Sequence, residues 1–139
     1  MTYFGSRLLF LLLPLVALEI VGCGSSRQLQ SVTLNPAIAD ARNFPNGQVS
    51  FTATGAFSKP PSPVQLTSTD VTWCAGSTSG MCVGNINPGV TVDRNGLAQC
   101  VPGFTGTATI LAGAGSSPMT NPDFGSQLKI FGAAQLTCP

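Results

Sequence analysis

Residues 48–57 read Gln-Val-Ser-Phe-Thr-Ala-Thr-Gly-Ala-Phe, and this stretch decides the fold. Val49, Phe51, Ala53, Gly55 and Phe57 fall on one parity, and Ser50, Thr52 and Thr54 on the other. Successive side chains of an extended chain point to opposite faces, so the alternation predicts a strand with one buried and one wet face. Asn46-Gly47 stands directly before it and supplies the positive backbone angles of a tight turn. On either side the pattern recurs: Val32 and Leu34, Val64 and Leu66, Val71 and Trp73, then Val90, Val92 and Leu97 around the turn Asp93-Arg94-Asn95-Gly96. Ala108, Ile110 and Ala112 continue it, and Leu128 with Ile130 closes it. About seven or eight short strands without a helical stripe predict an all-β antiparallel sandwich, with a barrel as the rival closure.

Composition narrows the function. The chain has 139 residues, enough for one domain, with six Lys plus Arg against five Asp plus Glu and no basic run. Charge-driven nucleic-acid binding is excluded. No His is present, which removes the commonest general base and the usual zinc ligand. Sixteen Gly and eleven Pro among Thr, Ser and Asn suit strands joined by turns.

Residues 1–22 differ from the rest: Arg7 precedes the apolar run 8–18, and Glu19 follows it. Such a run spans about 16 Å as a helix, roughly half a hydrocarbon core, so it reads as a cleaved signal peptide rather than a membrane span. It ends in Ile20-Val21-Gly22-Cys23, which resembles the lipobox of bacterial lipoproteins. The resemblance implies that Cys23 receives a diacylglyceryl group, that cleavage falls before it and that the new amino group is acylated. Cys23 then becomes residue one, and two or three acyl chains hold a soluble domain on a membrane. Gly24, rather than Asp, implies passage to an outer membrane. Residues 23–30 read as lipidated Cys and tether, and residues 31–139 as the folded domain.

Several stretches of the body resemble the bacterial immunoglobulin-like group 2 domain. They are Ser31-Val32-Thr33-Leu34-Asn35-Pro36-Ala37, residues 49–58, Asp70-Val71-Thr72-Trp73, Gly89-Val90-Thr91-Val92, Asn95-Gly96-Leu97-Ala98 and Gly106-Thr107-Ala108-Thr109-Ile110, in the family's order. The resemblance implies an immunoglobulin-like sandwich serving as a spacer or binding module on a cell surface. A single copy stands here, with cysteines where that family has none.

Four cysteines remain, Cys74, Cys82, Cys100 and Cys138, an even number in a chain read as exported. Disulfides are expected, in one of three connectivities. Position favours Cys74 with Cys82, closing a short ring just after the Trp73 strand, and Cys100 with Cys138, stapling the last strand. Metal or redox use calls for Cys-x-x-Cys pairs or His, and neither occurs.

The remaining chemistry is sparse. Asp40, Asp70, Asp93 and Asp123 with Lys59, Lys129, Arg27, Arg42 and Arg94 are scattered, and Asp70 and Asp93 read as strand-entry and turn residues. No catalytic residue, cofactor or metal is therefore expected. Recognition is sought on the longest irregular stretches, 77–86 and 113–124, which carry Met81, Ile86, Met119 and Phe124. Phe44, before Pro45-Asn46-Gly47, is a further candidate, whereas the parity of Trp73 places it inward. The expected role is a lipid-anchored, non-catalytic envelope module that contacts protein. A carbohydrate- or cell-wall-binding module is the alternative, and it requires an exposed aromatic flanked by Asn or Asp. A glycan-acting enzyme ranks third, and it requires two of the four Asp carboxylates in one cleft.

Overall fold

A computed structural model describes residues 26–83, 89–115, 117–118 and 124–139. The leader, Cys23, Ile86, Met119 and Asp123 lie outside the described residues. The fold is an all-β sandwich. Its strands are β1 (Leu29–Asn35), β2 (Ile38–Asp40), β3 (Gln48–Ser50), β4 (Thr52–Phe57), β5 (Val64–Leu66), β6 (Thr72–Gly76) and β7 (Met81–Val83). They continue with β8 (Val90–Val92), β9 (Leu97–Cys100), β10 (Gly106–Ala114), β11 (Ser117–Pro118), β12 (Phe124–Gln127) and β13 (Ile130–Cys138).

Thirteen short strands among the described residues replace the seven or eight expected, and the deciding stretch shows why. The run 48–57 breaks at Phe51: β3 pairs with β9, while β4 pairs with β1 and β5. One alternating run thus serves two three-stranded sheets, β1-β4-β5 and β3-β9-β8. Its parity holds across the break, with Val49, Phe51 and Ala53 all buried. Facing these sheets is a seven-stranded sheet in the order β11-β12-β7-β6-β10-β13-β2. All pairings are antiparallel except β2 with β13, because the chain leaves β1 at Pro36 and changes layer without reversing direction.

The main core fills the space between the layers. Val32, Leu34, Val49, Phe51, Leu66, Val90 and Ala98 come from one side, and Ala75, Ala108, Ile110, Ala134, Leu136 and Cys138 from the other. Phe51, Ile110 and Leu136 are fully buried, each contributing about 1.5–3 kcal/mol relative to exposure. β1 and β13 approach so closely that a Cβ at Gly132 would lie 2.5 Å from the Val32 carbonyl oxygen, which only glycine permits. Trp73 is half-buried against this core, as its parity predicts. Leu97 departs from expectation: pairing of Val49 with Ala98 turns Ala98 inward and leaves Leu97 exposed.

A second, smaller core lies on the other face of β10, where Leu111 meets Cys82 and Leu128, with Cys74 and Phe131 packed against them. Its cover comes largely from segments that the sequence presents as irregular, together with Leu128, which the pattern groups with Ile130. Residues 74–82, expected as a flexible ring, form the hairpin β6–β7, and most of the described part of 113–124 is strand. β12 pairs with β7, setting Gln127 opposite Met81 and Ser126 opposite Cys82. The Leu128 N–H donates to the Gly80 carbonyl at 2.9 Å, and the Gln127 side-chain amide donates to the Ser79 carbonyl at 2.9 Å.

The folded part also starts earlier than residue 31. β1 begins at Leu29, and Arg27 and Gln28, read as tether, are already bonded to the loop after β4.

Candidate functional site

Cys100 is joined to Cys138, with Cα atoms 5.9 Å apart, and Cys74 to Cys82, with Cα atoms 5.6 Å apart. This is the pairing favoured by position. The first bond links β9 to β13 and so ties the two layers together. The second ties neighbouring strands of one sheet.

Beside the Cys100–Cys138 clasp lies a groove of about 380 Å³, lined by Arg42, Phe44, Asn46, Val101, Phe104 and Pro139 among others. Its walls follow from local turn chemistry. On one wall the Asp40 carboxylate accepts from the Arg42 backbone N–H at 3.0 Å, starting the short 3-10 turn Ala41–Asn43. The Arg42 side chain returns to the same carboxylate at 3.4 Å across an exposed pair. Phe44 follows, and then Asn46 and Gly47 at φ 57° and 66° swing the chain into β3. On the other wall the Phe104 N–H donates to the Val101 carbonyl at 3.0 Å. Gly103 supplies the positive φ of that turn.

The result is an open concavity with an exposed aromatic, Phe44 at 37%, flanked by a guanidinium and a carboxamide. Its lining includes no Asp or Glu side chain. Such a surface suits a ligand with an apolar face and hydrogen-bond acceptors. Phe104, Arg42 and Asn46 were not singled out from sequence for this role. The signal was present in Phe44-Pro45-Asn46-Gly47 and Val101-Pro102-Gly103-Phe104, two phenylalanines each beside a Pro and a Gly.

The other candidates are placed as follows. Asp70 accepts from the Thr67 hydroxyl and the Thr67 backbone N–H, both at 2.7 Å, and these bonds hold its carboxyl below the usual range. Asp93 accepts from the N–H groups of Leu97 and Asn95, each at 2.8 Å, and it too is held low, chiefly by the Leu97 bond. All three described carboxylates serve local turns. Among the described residues no three Cys, Asp or Glu side chains gather as a metal set, and no polar or charged residue is buried.

The two stretches nominated for recognition are brought together, since β7 and β12 are paired strands. Met81 is half-buried there. No protein-family model matches the chain, and no curated protein matches it.

Proposed function

We propose that this protein is a lipid-anchored, non-catalytic envelope module with an immunoglobulin-like fold of the group 2 type. It is held on a bacterial outer membrane through Cys23 and makes contact with other envelope proteins. The observation that carries the reading is strand order. β1, the run β3/β4, β9 and β8 neighbour one another in sequence of pairing, opposite β6, β10 and β13. With β5 added beside β4 and the run split between two sheets, this order supports the reading because it parallels the ABED-against-CFG order of an immunoglobulin sandwich. The six stretches that resemble the group 2 family lie on or beside β1, β4, β6, β8, β9 and β10. The non-catalytic reading is supported by the three described carboxylates, each spent on backbone N–H groups of its own turn.

The anchor is tested by intact mass of the mature protein without reduction. A diacylglyceryl adduct on an N-terminal Cys23, with the mass deficit of two disulfides, is expected. An unmodified Cys23 overturns the anchor. The contact role is tested with a photo-crosslinking residue at Phe44 in cells, which is expected to capture envelope protein.

One observation favours the alternative of a glycan-binding module: exposed Phe44 lines the same groove as Arg42 and Asn46. Aromatic faces stack on sugar C–H groups, while the amide and guanidinium donate to hydroxyl oxygens. Retention of the protein on insoluble cell-wall polymer, lost in Phe44→Ala, would favour this reading over protein contact.

A further inference from the structure

We propose that the domain stands upright on its membrane, with the Arg27 and Pro60 end resting on anionic phospholipid headgroups and the Phe44 groove facing away. The inference rests on the lipid-anchor reading and adds an orientation and a lipid-contacting surface to it.

Three observations carry it. The first is the shortness of the link. Three residues lie between Cys23 and Arg27, and the four steps span at most about 14 Å. The Arg27 guanidinium lies 3.5 Å over the Phe57 ring, and it donates to the carbonyls of Lys59 and Pro61. The Gln28 N–H donates to the Ser58 hydroxyl at 3.0 Å, and the Ser58 N–H returns to the Gln28 carbonyl at 2.9 Å. The N-terminal entry is therefore clamped to the loop 58–63. A lipid on Cys23 draws that loop to the bilayer.

The second observation is polarity along the sandwich. Register sets Leu29 opposite Phe57 at one end of β1, and the chain then runs through Asn35 opposite Thr52 to Asp40 opposite Thr137. Eleven residues of mostly extended chain separate those ends by on the order of 30 Å. Asp40 and Cys138 thus mark the end that carries the groove, opposite the tether.

The third is charge. Arg27, Lys59 and Lys129 belong to the tether end: the Lys129 N–H donates to the Ala114 carbonyl, and Ala114 pairs with Ile130, at the end of β13 that packs near Leu29. Asp40 pairs with Arg42 at the groove end. The Asp93 turn, with Arg94, is the end of the β8–β9 hairpin away from Cys100, and Asp70 precedes Thr72, which pairs with Gly113 beside Ala114. Among the described residues the basic side chains at the tether end still outnumber these two carboxylates. Arg27 is held by carbonyl oxygens and a ring, contacts that leave its positive charge uncancelled. A cationic end on a short leash matches an anionic surface, where each basic residue strengthens association about fivefold.

The test uses the full lipidated chain reconstituted in phosphatidylglycerol vesicles containing a headgroup spin-labelled lipid. Single variants Pro60→Cys and Thr105→Cys, each exposed, carry a fluorophore. Quenching at position 60 is expected to exceed that at 105 by at least about threefold, and to fall towards parity in phosphatidylcholine or in high salt, which screens exposed charges. Intact mass is read on the same sample. A missing diacylglyceryl group overturns both the anchor and the orientation. Lipid present with equal quenching at both positions overturns the orientation alone. A ratio indifferent to headgroup charge and salt overturns the assignment to anionic lipid.

Discussion

β10 is a wall with a different building on each side. Ile110 points into the main core between the layers, and Leu111, the next residue, points into the smaller core under the β6–β7 hairpin. Each side has its own disulfide: Cys138 belongs to the main core with Cys100 packed against it, and Cys82 belongs to the smaller one with Cys74. The main core joins strands distant in sequence, whereas the smaller one gathers a hairpin and the arm before β13. The contrast teaches that one covalent bond here holds layers together and the other shapes an accessory face.

Removing the bonds tests that contrast most strongly. By loop-closure entropy, the 38-residue separation of Cys100 and Cys138 corresponds to about 4 kcal/mol, and the 8-residue separation of Cys74 and Cys82 to about 2.5 kcal/mol. Cys100→Ala with Cys138→Ala is expected to lower the urea midpoint in a single transition. Cys74→Ala with Cys82→Ala is expected to cost less and to speed amide exchange chiefly in 77–83 and 124–128. Equal losses with the same exchange pattern would erase the distinction.

Truncating the two neighbours on β10 sharpens it. Ile110→Ala and Leu111→Ala each remove a side chain with 0% exposure, at a cost of about 2–5 kcal/mol. Ile110→Ala is expected near the upper end, because its surroundings are held from both layers. Leu111→Ala is expected near the lower end, because the hairpin above it can settle. Thermal melts of the pair decide the order, and a larger loss at Leu111 would make the accessory core the structural centre.

This difference also explains how much was readable from sequence. The main core was legible because Val49, Phe51, Ala53 and Ile110 alternate with polar residues, and alternation directly reports a sheet face. The accessory core was not. Leu111 sits on the parity assigned to solvent. Its cover comes from residues 77–83, whose Gly, Ser and Thr content reads as loop, and from 124–128, where Leu128 is assigned with Ile130 to the main pattern. Those strands are stabilised by pairing and by a bonded turn rather than by their own pattern, a tertiary effect that local propensity does not report. The break at Phe51 was hidden for a related reason, since parity is preserved while the partner strand changes. Of the candidate site, Phe44 and the cysteine pairing were legible. The opposite wall, with Phe104, was not, because two turns far apart in sequence meet only once β9 and β13 are clasped.

Two glycines with matching backbones separate steric from conformational effects. Gly80 has φ +83° and Gly103 has φ +84°. A Cβ at Gly80 would fall 2.4 Å from the Phe131 ring, while one at Gly103 meets nothing within 4 Å. Gly103→Ala is expected to cost about 1 kcal/mol, the left-handed backbone penalty alone. Gly80→Ala is expected to cost about 2–3 kcal/mol, since the hairpin must also lift from the accessory core. Equal effects in chemical denaturation would show that the hairpin turn does not bear on Phe131.

The smallest effect concerns acid, and it separates the two cores by their chemistry. Asp70 and Asp93 brace turns leading to β6 and between β8 and β9, both at the edges of the main sandwich, and both carboxyls are held below their ordinary value of 3.8. A depressed folded pKa means that the unfolded chain binds protons more readily. The stabilisation is therefore complete above the unfolded value and is lost as pH falls through the folded one. With no His in the chain, no imidazole titrates between pH 5 and 8. The melting temperature is expected to stay flat from pH 7 to about 5 and to decline below about pH 4. Asp93→Asn is expected to lower stability slightly at pH 7 and to flatten that decline. The described part of the accessory core holds no carboxylate, so exchange in 77–83 is expected to follow the global acid transition rather than precede it. Early loosening of the hairpin would move the acid-sensitive contacts to the other side of β10.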